Sequence, residues 1–288
     1  FDKRSKFVHY RPRTAVLNNL EYDHADIFPD LAAIETQFHH LVRIVPRSRR
    51  LLVNGRDEAL TRVLTRGAWS EQVFFDRPTG WHARDIQETA HATRFEVWDG
   101  ATGHGSCELT MSGAHSRSNA LAAVAAAAHA GVAPAAALAA LGRFQGVRRR
   151  LELRGSVAGV AVYDDFAHHP TAIQTTIAGL RERLGAGRRV LAVLEPRSNT
   201  MKLGAMKARL ADSLAQADRV FCYAGAVDWD VAGALSPLGE RVRVERDLDA
   251  LVAAIVAESR SGDSVLVMSN GGFGGIHDRL LRALGAPR

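Results

Sequence analysis

Lysine is almost missing from this chain. Of its 37 basic residues only Lys3, Lys6, Lys202 and Lys207 are lysines, so the net charge of +6 is carried by arginine, spread along the length. The densest clusters are PRSRR (46–50) and RRR (148–150). A nucleic-acid binder gathers its charge on one face with aromatics nearby. This pattern does not, and no nucleic-acid partner is expected. Dispersed arginine suits a protein that handles phosphates and carboxylates. Cysteine is scarce too. Cys107 and Cys222 lie far apart, so they read as buried small apolar side chains, unbridged, in a reducing cytoplasm. No apolar run approaches the roughly 20 residues that span a bilayer, and no charged-then-apolar leader is present, so a soluble protein without a membrane partner is expected. No G-x-G-x-x-G opens a helix after the first strand of a βα series, which argues against a dinucleotide-dependent oxidoreductase. A G-x-x-G-K-[ST] phosphate loop is also absent, as is an initiator methionine; the chain opens on FDKRSKF as though within an element.

What is present is the composition of a globular protein. With 47% hydrophobic and 24% charged residues in 288, the chain can bury a core and is long enough for two domains. The first half reads as mixed α/β. TAVLNNL (14–20) is an apolar strand leading into the polar EYDHADIF. Leu31, Ile34, Phe38 and Leu41 then recur at helical spacing. Short strands are expected near 50–53, 72–75, 94–98 and 106–111. An alanine-rich helix follows over 119–131, with Gly131 as C-cap, and another opens at Pro134. The alanine stripe predicts close helix packing.

A boundary falls within LGRFQGVRRRLELRG (141–155), placed between 145 and 146. Beyond it strands and helices alternate: GVAVYDDF, helix 170–184, RRVLAVLEP, helix 205–216, RVFCYAG, helix 247–259, DSVLVMSN, helix 275–284. Repeated βα units predict a mostly parallel, doubly wound sheet. Every chemically suggestive stretch of this half, Asp164–His169, Glu195–Lys202, Tyr223–Asp230 and Ser269–His277, directly follows a strand, and strand carboxyl ends are where open α/β sheets bind ligands. These loops are expected to line one crevice.

Each motif has a plain reading beside the functional one. Asp23 and His24 could hold a divalent cation or merely cap the next helix. The arginines 148–150 could be a solvated surface or a phosphate clamp. Arg197, Ser198, Asn199 and Lys202 form a donor set suited to a carboxylate. Four glycines within GGFGG (271–275) predict a loop whose backbone approaches a ligand or a neighbouring domain closely.

The segments LNNLEYDHAD, SGAHSRSNALAA, GVRRRLELRG, VYDDFAHHPT, LEPRSNTMK and VMSNGGFGGIH, in that order, resemble the central and C-terminal domains of the Mur ligase family over essentially the whole chain. The resemblance implies an α/β protein: residues 1–145 a central, ATP-binding domain without its P-loop portion, and 146–288 a doubly wound, Rossmann-like C-terminal domain. It implies an ATP- and Mg²⁺-dependent amide ligase that acts through an acyl phosphate. EPRSNTMK with SNGGFGGIH points to the branch joining UDP-N-acetylmuramate to the murein tripeptide L-alanyl-γ-D-glutamyl-meso-diaminopimelate in peptidoglycan recycling. The L-alanine-adding branch is the runner-up, and a non-catalytic nucleotide- or peptide-binding module the alternative from another class. No oligomeric state follows from the motifs.

Carried over by motif, His24 is implied in a Mg²⁺ site and in catalysis, Asn119 contacts the adenine, and Arg150, Asp165 and His168 hold the nucleotide, Arg150 also serving catalysis. Arg197, Ser198, Asn199, Asn270 and Gly271 are implied in peptide binding. Ser116 stands where the family pattern G-x-H-N-x-x-N has its first Asn, and His39 where several relatives carry a modified lysine, so no carbamylated lysine is expected. Without a P-loop or the uridine-binding domain, these 288 residues alone are expected to be inactive.

Overall fold

Alternation of burial defines the first strand: Ala15 and Leu17 face inward and Val16 outward across Thr14–Leu17 (β1). In the computed structural model, which describes residues 5–89, 92–185 and 187–286, the chain forms two compact units, Phe1–Gln145 and Gly146–Arg288. The first four residues of the opening FDKRSKF lie outside the described residues. After β1 come Leu31–Ile44 (α1), Arg50–Asn54 (β2), Glu58–Thr65 (α2), Glu71–Phe75 (β3), Trp81–Glu88 (β4), Thr93–Asp99 (β5) and Thr102–Leu109 (β6). Ala114–His129 (α3) and Pro134–Leu141 (α4) complete the unit. Its six strands lie in chain order, with β1, β2 and β3 parallel and β4 to β6 an antiparallel meander. Helices α1 and α2 cover the parallel part through Leu17, Val42, Leu51 and Leu60. Helices α3 and α4 cover the meander through Phe95, Leu109, Leu121 and Leu138.

The alanine stripe does pack closely, with Ala120, Ala122 and Ala125 buried. Gly131 closes α3 at φ +93°, and Val132 N–H reaches back to Ala127 O, the left-handed cap that glycine adopts without strain. Two elements escape the sequence pattern. Strand β4 is exposed from Arg84 to Gln87 and so lacks period-2 alternation, while α2 is only eight residues long.

The second unit runs Glu152–Val157 (β7), Val160–Asp165 (β8), Pro170–Leu184 (α5), Val190–Leu194 (β9), Asn199–Lys202 (α6), Lys207–Leu214 (α7) and Arg219–Tyr223 (β10). Val231–Leu235 (α8), Val242–Glu245 (β11), Leu248–Glu258 (α9), Ser264–Met268 (β12) and Ile276–Gly285 (α10) follow. Strand order is β11-β10-β9-β12-β8-β7, parallel except for the edge hairpin β7–β8. Helix α5 packs with α7, and α9 with α10. Strands β9 and β12 are buried at every residue, which is why they read as continuous apolar runs. The α/β, doubly wound expectation holds. The edge strands β7 and β11 were not expected: both are half-exposed and carry charged residues. The expected helix 205–216 is the shorter α7, and the short α6 before it was not expected.

Because β12 lies between β8 and β9, the register Asp165↔Met268↔Leu194 brings the ends of three strands level. Strand order reverses here, the place where such sheets present their loops to ligands. Cys107 and Cys222 are free and buried, and burial pushes their thiols up to about 11 and about 12. Among the described residues no helix is long and apolar enough to cross a membrane.

Candidate functional site

In the second unit two adjacent carboxylates end β8, and strand alternation sends them to opposite faces. Both are buried. Asp165 Oδ2 accepts Leu151 N–H at 2.7 Å, and its Oδ1 accepts Ala167 N–H at 2.7 Å and the Thr176 hydroxyl at 3.3 Å. Desolvation raises its pKa against these bonds and the nearby Arg150 charge. The carboxylate therefore ties the arginine turn to the DDFAHH loop. Asp164 faces a different set: Arg149 Nε at 3.3 Å, Arg154 Nη1 at 3.7 Å and His277 Nε2 at 3.3 Å. Burial holds the His277 pKa below 6.5; Asp164 opposes that shift, while Arg154 and Arg149 add to it.

The three consecutive arginines part company. Arg148 is exposed. Arg149, at φ +59°, turns inward and donates to Ser269 O at 2.7 Å and Gly271 O at 2.8 Å. Arg150 is exposed, with its guanidinium 5.6 Å from the Phe166 ring centre, leaving a cation beside the loop where an anion can reach it. His168 stacks edge-on to Phe166, and its Nδ1 lies 2.9 Å from Phe166 O. A carbonyl only accepts, so Nδ1 carries the hydrogen of this bond.

The β9 loop presents the other predicted set. Ser198 caps α6, its Oγ accepting Met201 N–H at 3.3 Å; Arg197 and Asn199 are exposed. Arg197 lies across Gly271, where a Cβ would come within 2.1 Å of its Nη1. Ser269 Oγ donates to buried Glu195 at 2.5 Å and accepts Gly271 N–H at 2.9 Å. Asn270 Oδ1 is buried and has no hydrogen-bond partner among the described residues. The glycine-rich loop is thus required first by its own unit: Gly271 yields room to Arg197, and Gly274 and Gly275 adopt left-handed φ of +56° and +69°. The β10 loop joins through Trp229 Nε1, which donates to Met201 O at 2.8 Å.

In the first unit, His24 is exposed at φ +53° in the loop after β1. Asp23 does not cap α1; its carboxylate accepts His24 N–H, and Asp30 supplies the cap. Asn119 projects from α3, exposed, and its Oδ1 accepts Asn18 Nδ2 at 2.9 Å, leaving its own amide hydrogens as the outward donor. Ser116 is buried and spends its hydroxyl on Ser112 O, so it offers nothing outward. Among the described residues no group of three or more His, Cys, Asp or Glu side chains could hold a metal.

Sequence reading passed over Arg149, Asp164, Glu195 and His277 as individual residues. The available signal was burial: a charged residue at the end of a fully apolar parallel strand must be paired.

A model of the Mur ligase middle domain matches residues 2–127, and one of the Mur ligase glutamate ligase domain matches residues 149–271. The chain is 51% identical over 99% of its length to the UDP-N-acetylmuramate–L-alanyl-γ-D-glutamyl-meso-2,6-diaminoheptandioate ligase of Escherichia coli (strain K12), spanning 62% of that protein. It is 32% identical over 97% of its length to the UDP-N-acetylmuramate–L-alanine ligase of Frankia casuarinae, covering 64% of it. The crystal structure of a murein peptide ligase from Psychrobacter arcticus 273-4 superposes with a TM-score of 0.72 at 41% identity, over all of this chain and 61% of that one. The chain therefore spans about three-fifths of the length of these relatives. Two domain matches, one to each unit, with 51% identity to the Escherichia coli relative, place the chain in the Mur ligase family.

Proposed function

We propose that the protein containing this chain is an ATP-dependent cytoplasmic ligase that joins UDP-N-acetylmuramate to L-alanyl-γ-D-glutamyl-meso-diaminopimelate in peptidoglycan recycling. The observation that carries this reading is the identity to the tripeptide-adding relative, 51%, against 32% for the L-alanine-adding one. In the family reaction the lactyl carboxylate attacks the γ-phosphorus of ATP with loss of ADP. The peptide amine then attacks the acyl carbon and expels phosphate, giving up its proton. Both steps build negative charge on oxygen, which positioned cations stabilise.

The residues fit these roles unevenly. Exposed Arg150 suits a phosphate oxygen. Asn119, with its oxygen occupied by Asn18, suits an acceptor on the adenine. Asp165 is assigned to the nucleotide through the loop it braces, since its oxygens already accept three hydrogen bonds; His168 belongs to the same loop. His24 fits only a peripheral place on Mg²⁺, which takes one or two protein ligands when phosphates and waters supply the rest; bound there, Mg²⁺ would neutralise phosphate charge. Arg197, Ser198, Asn199, Asn270 and Gly271 are assigned to the peptide, with Arg197 reading a diaminopimelate carboxylate.

The test is phosphate release by the full-length protein with ATP, Mg²⁺, UDP-N-acetylmuramate and either tripeptide or L-alanine. Turnover with tripeptide at least tenfold above that with L-alanine is expected. Preference for L-alanine would move the protein to the other branch, and turnover with neither would reject the reading.

A further inference from the structure

We infer that Arg149 is a positioning residue that sets the shape of the Ser269–Gly271 loop, and through it the placement of Arg197 and Asn270. This rests on the ligase reading for its kinetic consequence, though not for its structural one.

Three observations converge on this arginine. Its Nη2 donates to two loop carbonyls, Ser269 O and Gly271 O, at 2.7 and 2.8 Å, so one planar group fixes both ends of a three-residue segment. Its Nε sits 3.3 Å from buried Asp164, which holds the guanidinium plane from behind and is itself flanked by Arg154 and His277. Its backbone is equally committed: N–H donates to Glu152 at 2.8 Å, O accepts Phe166 N–H at 2.9 Å, and φ is +59°. A non-glycine residue held in the left-handed region marks a place where surrounding contacts over-determine the backbone.

The loop so held has few other ties. Ser269 N–H donates to Asp165 O at 3.1 Å, Ser269 Oγ bridges Glu195 and Gly271 N–H, and Gly272 meets no neighbouring atom where a side chain would stand. Arg197 packs directly on Gly271, so a shift in that backbone moves the guanidinium proposed to read the substrate carboxylate. Lysine cannot replace Arg149, because a single ammonium cannot span two carbonyls and a carboxylate in one plane.

The experiment compares wild type with Arg149→Lys and Arg149→Ala in the full-length protein. Hydrogen exchange is measured without ligands, and the KM for tripeptide and for ATP with them. Exchange at amides 269–275 should rise tenfold or more in Arg149→Lys while amides of β9 and β10 stay unchanged. The tripeptide KM should rise roughly tenfold, the ATP KM less than threefold, with kcat within about threefold. Unchanged exchange in the loop would overturn the proposal, as would equal rises in both KM values. Should the wild type show no ligase turnover, the ligase reading fails, and the exchange result alone decides the positioning role. If Arg149→Ala does not fold, Arg149→Lys carries the comparison.

Discussion

Asp165, at the end of β8, and Arg150, in the turn that Asp165 holds through Leu151 N–H, separate two kinds of importance. The carboxylate is buried and accepts from Leu151, Ala167 and Thr176, whereas the guanidinium is exposed and rests on Phe166. Asparagine at 165 would keep one acceptor but turn a donor toward another donor. We expect Asp165→Asn to destabilise the second unit by about 1–3 kcal/mol, the cost of a buried group left unpaired, as read from urea melts. Arg150→Ala should leave the urea midpoint unchanged and raise the ATP KM of the full-length protein roughly tenfold. An Arg150→Ala protein with unaltered ATP kinetics would remove Arg150 from the nucleotide site. The sequence could not separate these roles. RRR and DD each read as a run of like charges, and only the left-handed turns at Arg149 and Leu151 reveal which member faces inward.

At the scale of elements, the apolar runs were legible because both faces of β9 and β12 are buried, and α5 was legible from Pro170 at its first turn and its helical period. Edge strands β7 and β11 were not, since exposure removes the contrast that a pattern needs. Helix α3 begins at Ala114, five residues before the expected start at 119, and runs through the polar HSRS, where the Ser116 hydroxyl turns back onto Ser112 O. The glycine-rich segment was legible as special, while the reason was not: Gly271 makes room for Arg197, a residue 74 positions away. A methyl group at 271 would meet the mobile end of that side chain rather than backbone. Gly271→Ala should therefore cost little stability and displace Arg197. The expected outcome is a several-fold rise in tripeptide KM with the melting temperature nearly unchanged, and a large loss of stability would show that the backbone, not Arg197, needs the glycine.

At the scale of the molecule, residues 146–288 hold a continuous core of their own, running from Val162 and Val193 through Phe221, Leu251 and Val267 to Leu280. A unit of this size buries enough apolar surface to fold by itself. Expressed alone, it should unfold in one cooperative urea transition. Every charged group credited with shifting His277, namely Asp164, Arg154, Arg149 and Asp278, lies within the same unit, so its pH response should survive excision. The sign follows from linkage. The folded state holds His277 below 6.5 and so binds fewer protons than the unfolded chain in that window. Stability from this residue is complete above about pH 6.5 and is lost as pH falls toward the folded value. Asp165 acts in the opposite sense, because its raised pKa lets the folded state take up a proton first. The histidine contribution must therefore be read as a difference. Urea melts of residues 146–288 and of its His277→Gln variant, between pH 7.5 and 5, should show the wild type losing more stability on acidification. Parallel pH profiles would mean that the imidazole keeps its ordinary pKa, the attraction of Asp164 offsetting burial.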